Sequence, residues 1–307
     1  MTLQQLEYIV ALDKTRHFVR AAQACGVTQP TLSAMIQKLE DELDCKIFDR
    51  SSHPIMATSI GEMIIKRSLR ILQEVNLLKE SLSTIKGSVA GEMALAMIPT
   101  VAPYLLPGLI SKFRADYPHV ELRISEMRTE SILRKLQTAE IDLAILATPL
   151  NEPTLLEVPL YYEKFVAYIS PDCPLHAASE ISSVDMPSEN LWVLEEGHCL
   201  RNQVFNFCHT LKHASIYEAG SIDTLVKIVD VNGGYTVIPE LHVEFLTLEQ
   251  KKNVRNIVNP EATREISLVF RHDYVREGLI NAVAEAVKQN IPSNMLDTRL
   301  KKFAIKL

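Results

Sequence analysis

Apolar residues at the start of the chain repeat with the period of a helix. Leu3, Leu6, Ile9, Val10 and Leu12 fall on one face, and the stripe stops near Thr15. A second, shorter helix is predicted from about Val19 to Cys25, with Ala21, Ala22 and Cys25 turned inward and Gly26 ending it. Thr28 then caps a third helix, which carries Pro30 in its first turn, where a missing N–H does no harm. Leu32, Ile36, Leu39 and Leu43 supply its buried stripe. Two short helices joined by a tight, glycine-containing turn make a helix-turn-helix. The third helix then presents Gln29, Thr31, Ser33, Ala34, Gln37 and Lys38 outward, and short amides and hydroxyls suit base edges and phosphates. A plain three-helix packing module with a polar face satisfies the same pattern.

From Ser59 to Gly87 the pattern predicts one long helix, striped by Ile64, Ile71, Val75, Leu78, Leu82 and Ile85. About 28 residues of helix span roughly 42 Å. Such a stripe calls for a partner helix, in its own domain or in a second chain. Gly87, Ser88 and Gly91 mark a hinge. Beyond it the period changes. Strands are predicted at EMALAMI, VELRISEM and DLAILA, with helices from Thr100 to Tyr117 and from Thr129 to Thr138 between them. KFVAYIS, LWVLEEG, ASIYEAG, GGYTVIP and EISLVFRH continue the strands, with helices near Arg201–Leu211, after Ser221 and from Val275 to Gln289. This alternation implies parallel strands in an α/β layer. Return of the chain to a strand near Ile266 divides it into two lobes, about 91–163 with 267–307 and about 164–266. A cleft between such lobes is where a small molecule is sensed. Thr100 and Thr129 each stand where a strand gives way to a helix, as N-caps or as hydroxyls offered to a polar ligand.

A chain of 307 residues favours two domains with room for a small third module. At 47% hydrophobic and 23% charged it has the balance of a soluble globular protein. No apolar run reaches ~18 uninterrupted residues, and MTLQQLEYIV has no basic n-region, so a cytoplasmic protein with no membrane partner is expected. The net charge of −6 at first disfavours nucleic acid. Residues 1–90 carry 11 Lys and Arg against 10 Asp and Glu, a net +1, and the rest carry 21 against 28, a net −7. The acidity therefore lies away from the helix-turn-helix.

Five cysteines, Cys25, Cys45, Cys173, Cys199 and Cys208, form no CxxC or Cys/His spacing, so neither zinc nor a structural disulfide framework is expected. GHCLRNQVFNFC sets His198 beside Cys199 and Arg201 two residues beyond, and such cations lower a thiol pKa. Glu195 and Glu196 oppose them, and two inert thiols are the simpler reading. On one continuous helix, Cys199 and Cys208 would stand roughly 13.5 Å apart on opposite faces. A disulfide needs Cα atoms within about 7 Å, so joining them would unwind local structure and pull Val204, Phe205 and Phe207 from their packing.

The run FVRAAQACGVTQPTLSAMIQKLEDELDCKIFDR, Phe18 to Arg50, closely resembles the winged helix-turn-helix of the LysR-type transcriptional regulators. Ala21–Ala22, the TQPTLS turn, Ile36, Leu39–Glu40, Leu43 and Ile47-Phe48-x-Arg50 carry the likeness, which extends over essentially the whole chain. It implies a mixed α and α/β fold with three parts: a winged helix-turn-helix over 1–58, a linker and dimerisation helix over 59–88, and a two-lobed, periplasmic-binding-protein-like effector domain over 91–307. It implies DNA contacts from Gln29, Thr31, Ser33, Gln37, Lys38 and, at the wing, Arg50. Where family members often carry Arg or Lys, this chain has Ala34, Gln37 and His53, which implies modest non-specific affinity.

Within the family, LEEGHCLRNQVFNFC resembles the redox segment of the hydrogen-peroxide sensors, as do IPTVAPYLLP and SIDTLVKIV elsewhere. The resemblance implies that Cys199 is oxidised to a sulfenic acid and that Cys208 resolves it to a reversible disulfide. It implies peroxide-binding or thiolate-stabilising roles for Thr100, Thr129, His198, Arg201 and Arg264, and leaves Cys25, Cys45 and Cys173 as packing residues. Asn202 stands where the family commonly has Asp. The implied partners are promoter DNA, further copies of the chain as a dimer of dimers, RNA polymerase, and a glutaredoxin or thioredoxin that resets the switch. No cofactor or metal is implied. Two other readings are a regulator sensing a small metabolite and a thiol peroxidase or disulfide oxidoreductase; the helix-turn-helix and long helix argue against a turnover enzyme.

Overall fold

The computed structural model describes residues 1–296 apart from 53, 85–90, 184–185, 188–189, 195–217, 220, 260 and 275. The chain forms two compact units, Met1–Ser88 and, apart from Thr138–Glu140, the remainder.

The first unit runs α1 (Leu3–Thr15), α2 (Phe18–Ala24), α3 (Gln29–Glu42), a ribbon of β1 (Phe48–Asp49) and β2 (Met56–Ala57), and α4 (Ser59–Thr84). Thr2 and Gln5 close a capping box on α1, and the Thr28 side chain accepts from the Thr31 N–H at the start of α3. Gly26 takes a φ of 66° just after α2, which a side chain would resist. Leu6, Ile9, Leu12, Ala21, Leu32, Ile36, Leu39 and Ile47 fill the core. Leu43 does not join them. It is the C-cap of α3 and 38% exposed, and Ile47 and Phe48 close the core instead. Cys25, the C-cap of α2, is likewise only half-buried. Gly61 lets α4 press on the ribbon, since a Cβ there would stand 2.0 Å from the Ile47 carbonyl oxygen. Ile64, Ile65, Leu69 and Leu72 of α4 pack on this core, whereas Ile60, Met63, Ile71 and Leu78 remain exposed. Among the described residues no helix is long and apolar enough to cross a membrane.

The second unit opens with β3 (Gly91–Met97), α5 (Ala102–Asp116), β4 (Val120–Glu126), α6 (Thr129–Gln137) and β5 (Leu143–Thr148). The long β6 (Leu155–Ile169) follows, then β7 (Glu180–Ser182), β8 (Leu191–Leu194), β9 (Glu218–Ala219), α7 (Ile222–Asn232) and β10 (Tyr235–Pro239). A 3-10 turn at Glu240–Phe245 leads to α8 (Leu248–Lys251), β11 (Val254–Val258), β12 (Thr263–Arg271) and α9 (Glu277–Gln289). The strands lie in the order β4-β3-β5-β12-β6-β10-β8-β9.

Parallel pairing holds for β3 with β4 and β5 and for β8 with β9 and β10. It fails in the middle: β12 is antiparallel to β5 and β6, and β6 is antiparallel to β10. All nine residues of β12 are buried, and a strand covered on both faces shows no alternation that would reveal its direction. Its register sets Arg264 directly opposite Glu163 of β6. One core gathers β3, β5, α5, α9 and the first half of β6; another gathers Phe165–Ile169, β10 and α7.

Candidate functional site

Two regions bear on function, one in each unit. On α3, Gln29, Thr31 and Lys38 are exposed and Ser33 and Gln37 half-buried. The Gln37 amide donates to Asp41 Oδ1 at 2.6 Å. Behind this face lies Glu40, fully buried, whose Oε1 accepts the Ile47 and Phe48 N–H groups at 2.8 and 3.2 Å. Its Oε2 pairs with Arg50 at 3.2 Å and Lys46 at 3.6 Å. The Arg50 guanidinium also lies 5.7 Å from the centre of the Phe18 ring. One carboxylate thus ties the last turn of α3 to the start of β1 and to Arg50 just beyond it. Glu40→Ala is expected to cost about 1–3 kcal/mol for each amide left unpaired, with Glu40→Gln, which keeps an acceptor oxygen, losing less. Urea unfolding followed by circular dichroism checks the order.

In the second unit, Thr100 sits in the turn between β3 and α5, and Arg264 reaches it from β12. Arg264 NH1 donates to Thr100 Oγ1 and NH2 to the Thr100 carbonyl, both at 2.9 Å. On its other edge Nε donates to Glu163 Oε2 at 2.9 Å, and NH2 lies 2.7 Å from the same oxygen. Glu163 Oε1 accepts from Leu241 N–H at 3.0 Å, at the 3-10 turn. Both charged side chains are wholly buried, which a charge tolerates only when paired. Burial pushes the Glu163 carboxyl above its ordinary range, and Arg264 pulls it back.

Thr100 also lines a cavity of about 220 Å³ with Tyr104, Glu126, Leu194, Asp223 and His242. The Tyr104 hydroxyl stands 3.2 Å from His242 Nδ1, and His242 Nε2 stands 3.8 Å from Asp223 Oδ1. Burial pushes the His242 pKa down, and Asp223 opposes this. Burial, reinforced by Glu163, pushes the Tyr104 hydroxyl far above its usual value. Leu194, at the cavity wall, is the last described residue before 195–217.

A model of the LysR substrate binding domain matches residues 86–292, and one of the bacterial regulatory helix-turn-helix of the lysR family matches residues 3–62. The chain belongs to the LysR family. Among its family relatives, the hydrogen peroxide-inducible genes activator of Haemophilus influenzae is 37% identical over 95% of this chain and 98% of its own length. The DNA-binding transcriptional dual regulator OxyR of Escherichia coli is 35% identical over 94% of this chain and 95% of its own. The full-length OxyR C199D structure from Pseudomonas aeruginosa superposes with a TM-score of 0.79 at 33% identity, covering 94% and 98% of the two chains. A Corynebacterium glutamicum OxyR mutant, H2O2-bound, superposes at 0.62 and 27% identity, covering 99% of each.

In this LysR-family regulator, the structure brings together two residues singled out from the sequence, Thr100 and Arg264. Thr129 opens α6 with its Oγ1 buried and, among the described residues, without a hydrogen-bond partner, outside the Arg264 network. His198, Cys199, Arg201, Asn202 and Cys208 lie outside the described residues. Cys25 and Cys45 pack at the edge of the first unit's core and Cys173 at that of the second core of the other unit, all as free thiols. Sequence reasoning missed Glu163, Tyr104, Asp223 and His242. For Glu163 no sharp signal existed, because β6 also carries Glu157 and Lys164 and β12 sets Arg264 beside Glu265.

Proposed function

We propose that this LysR-family regulator senses hydrogen peroxide through Cys199 and Cys208 and passes the signal to promoter DNA. The observation that carries the reading is the buried Arg264–Thr100 contact, opening on a cavity that a small polar molecule fits. Its likeness to peroxide-inducible activators over nearly its whole length supports it. In the sensing step the Cys199 thiolate attacks one peroxide oxygen, giving a sulfenic acid and hydroxide, which takes a proton to become water. The Cys208 thiol then displaces a second water as the disulfide forms. Thr100, Thr129, His198, Arg201 and Arg264 bind peroxide or stabilise the thiolate. A glutaredoxin or thioredoxin restores the dithiol. The protein consumes peroxide as a signal and not as an enzyme in turnover.

On the DNA side, Gln29, Thr31, Ser33, Gln37 and Lys38 meet the duplex, and Arg50, oriented by Glu40, meets its backbone at the wing. The parts are 1–58 for DNA, 59–88 for pairing and 91–307 for sensing. Exposed Met63, Ile71 and Leu78 on α4 suit a helix of a second copy. The working form is a cytoplasmic dimer of dimers that engages RNA polymerase.

Mild peroxide is expected to remove two hydrogens from the peptide pair holding Cys199 and Cys208, read by mass spectrometry. Footprints of reduced and oxidised protein on the same promoter are expected to differ in length. Unaltered thiols with identical footprints would replace this reading with a metabolite sensor using the same cavity.

A further inference from the structure

The Thr100 hydroxyl takes its polarity from a carboxylate that it does not touch. A guanidinium has donors only, so every hydrogen bond that Arg264 makes is a donation. NH1 gives one to Thr100 Oγ1 at 2.9 Å. A hydroxyl oxygen that accepts in this way keeps its own proton for another acceptor, and Thr100 faces the cavity. The guanidinium in turn is clamped. Two of its nitrogens hold the Thr100 oxygens, and its Nε and NH2 hold Glu163 Oε2 at 2.9 and 2.7 Å. Glu163 is itself fixed by the Leu241 N–H at 3.0 Å and by its place on β6 directly across from Arg264.

We infer that Glu163 is a positioning residue for peroxide reduction: it sets the angle of the Arg264 fork on Thr100 and so holds the Thr100 hydroxyl as a hydrogen-bond donor into the cavity. This rests on the peroxide-sensing reading above. The reaction needs such a donor. As sulfur bonds to one peroxide oxygen the O–O bond breaks, sulfur gives up two electrons, and the departing oxygen gains them as hydroxide, later protonated by solvent. A preorganised donor stabilises the charge that builds on that oxygen. Glu163 touches no reactant and acts on the Thr100 hydroxyl through Arg264.

The test compares two oxidants of Cys199 in the reduced, full-length protein: hydrogen peroxide, and an aromatic disulfide whose leaving thiolate needs no oxygen-directed donor. Glu163→Gln keeps the shape and an acceptor for Leu241 but removes the charge. It is expected to slow the peroxide reaction at least about ten-fold, or 1.4 kcal/mol, while the aromatic disulfide reacts at the wild-type rate. Thr100→Val is expected to give the same split and Thr100→Ser to restore it. Should Glu163→Gln fold poorly, the neutral pair E163Q with R264Q decides. Because Glu163 acts through Arg264, the pair is expected to react with peroxide as slowly as R264Q alone and no slower. A wild-type peroxide rate in Glu163→Gln, equal slowing with both oxidants, or a pair slower than R264Q would each overturn the inference. Wild-type protein that meets peroxide no faster than a free thiol does would instead overturn the sensing reading, and the inference with it.

Discussion

Arg264→Ala is expected to destabilise the second unit by about 3–5 kcal/mol, the cost of leaving a buried charge without its partner. Glu163 and Arg264 are both wholly buried, and the guanidinium also lies 5.6 Å from the centre of the Phe165 ring. Removing it strips Glu163 of its cation, unpairs the Thr100 carbonyl and leaves a void where β6 and β12 pair. The deficit has a pH signature. The ordinary Glu value is 4.5, and burial already holds Glu163 above it. A carboxyl with a higher pKa folded than unfolded grips its proton in the native state, so it costs nothing well below the unfolded value. The cost appears as pH rises through that value and is complete above the folded one. In Arg264→Ala only the Leu241 N–H still pulls the pKa back, and the window extends upward. The variant should therefore sit nearest to wild type below pH 4.5 and fall further behind as pH rises towards about 8. Urea unfolding across that range, followed by Trp192 fluorescence, measures it. Arg264→Lys keeps a charge without the fork and should fall between the two.

That pair also marks where the sequence stops being legible. The helix-turn-helix could be read because its signals are local: Thr28 caps α3, Gly26 takes positive φ, and Leu32, Ile36 and Leu39 repeat at helical spacing. Leu43 was misplaced because the period continues past the point where the helix stops. Glu40 has no motif of its own. It works because two amides more than six residues away fold back on it, a tertiary fact. In the second unit the strands could be read but not their directions. β6 and β12 are buried on both faces where they carry the chain from one core to the other. Register alone puts Glu163 opposite Arg264, and no spacing along the chain encodes it. Tyr104 of α5 and His242 of the 3-10 turn, 138 residues apart, likewise meet only through the tertiary fold. Arg264 rests on the resemblance to the peroxide sensors and Thr100 also on its place where a strand gives way to a helix, and the structure adds the contact between them.

Cys199→Ser is expected to abolish the transcriptional response to peroxide while leaving promoter binding intact, the largest functional effect that the reading implies. A serine hydroxyl is not a thiolate and cannot be oxidised to a sulfenic acid, so neither the first step nor the disulfide that follows is available. Promoter binding is expected to survive because the lysR-family helix-turn-helix spans residues 3–62, in the other unit. The complementary variant separates the two chemical steps. Cys208→Ser should still give the sulfenic acid at Cys199, trapped by a dimedone-type reagent, but not the loss of two hydrogens. If the disulfide is what refolds the segment, that variant too should keep the footprint of the reduced protein. A reporter driven by the bound promoter, with and without peroxide, reads both variants against wild type. Peroxide-dependent transcription retained in Cys199→Ser would sink the mechanism, because among the five cysteines Cys25, Cys45 and Cys173 pack at the edges of the cores. Burial, with Glu7 nearby, also pushes the Cys25 thiol away from the reactive thiolate form.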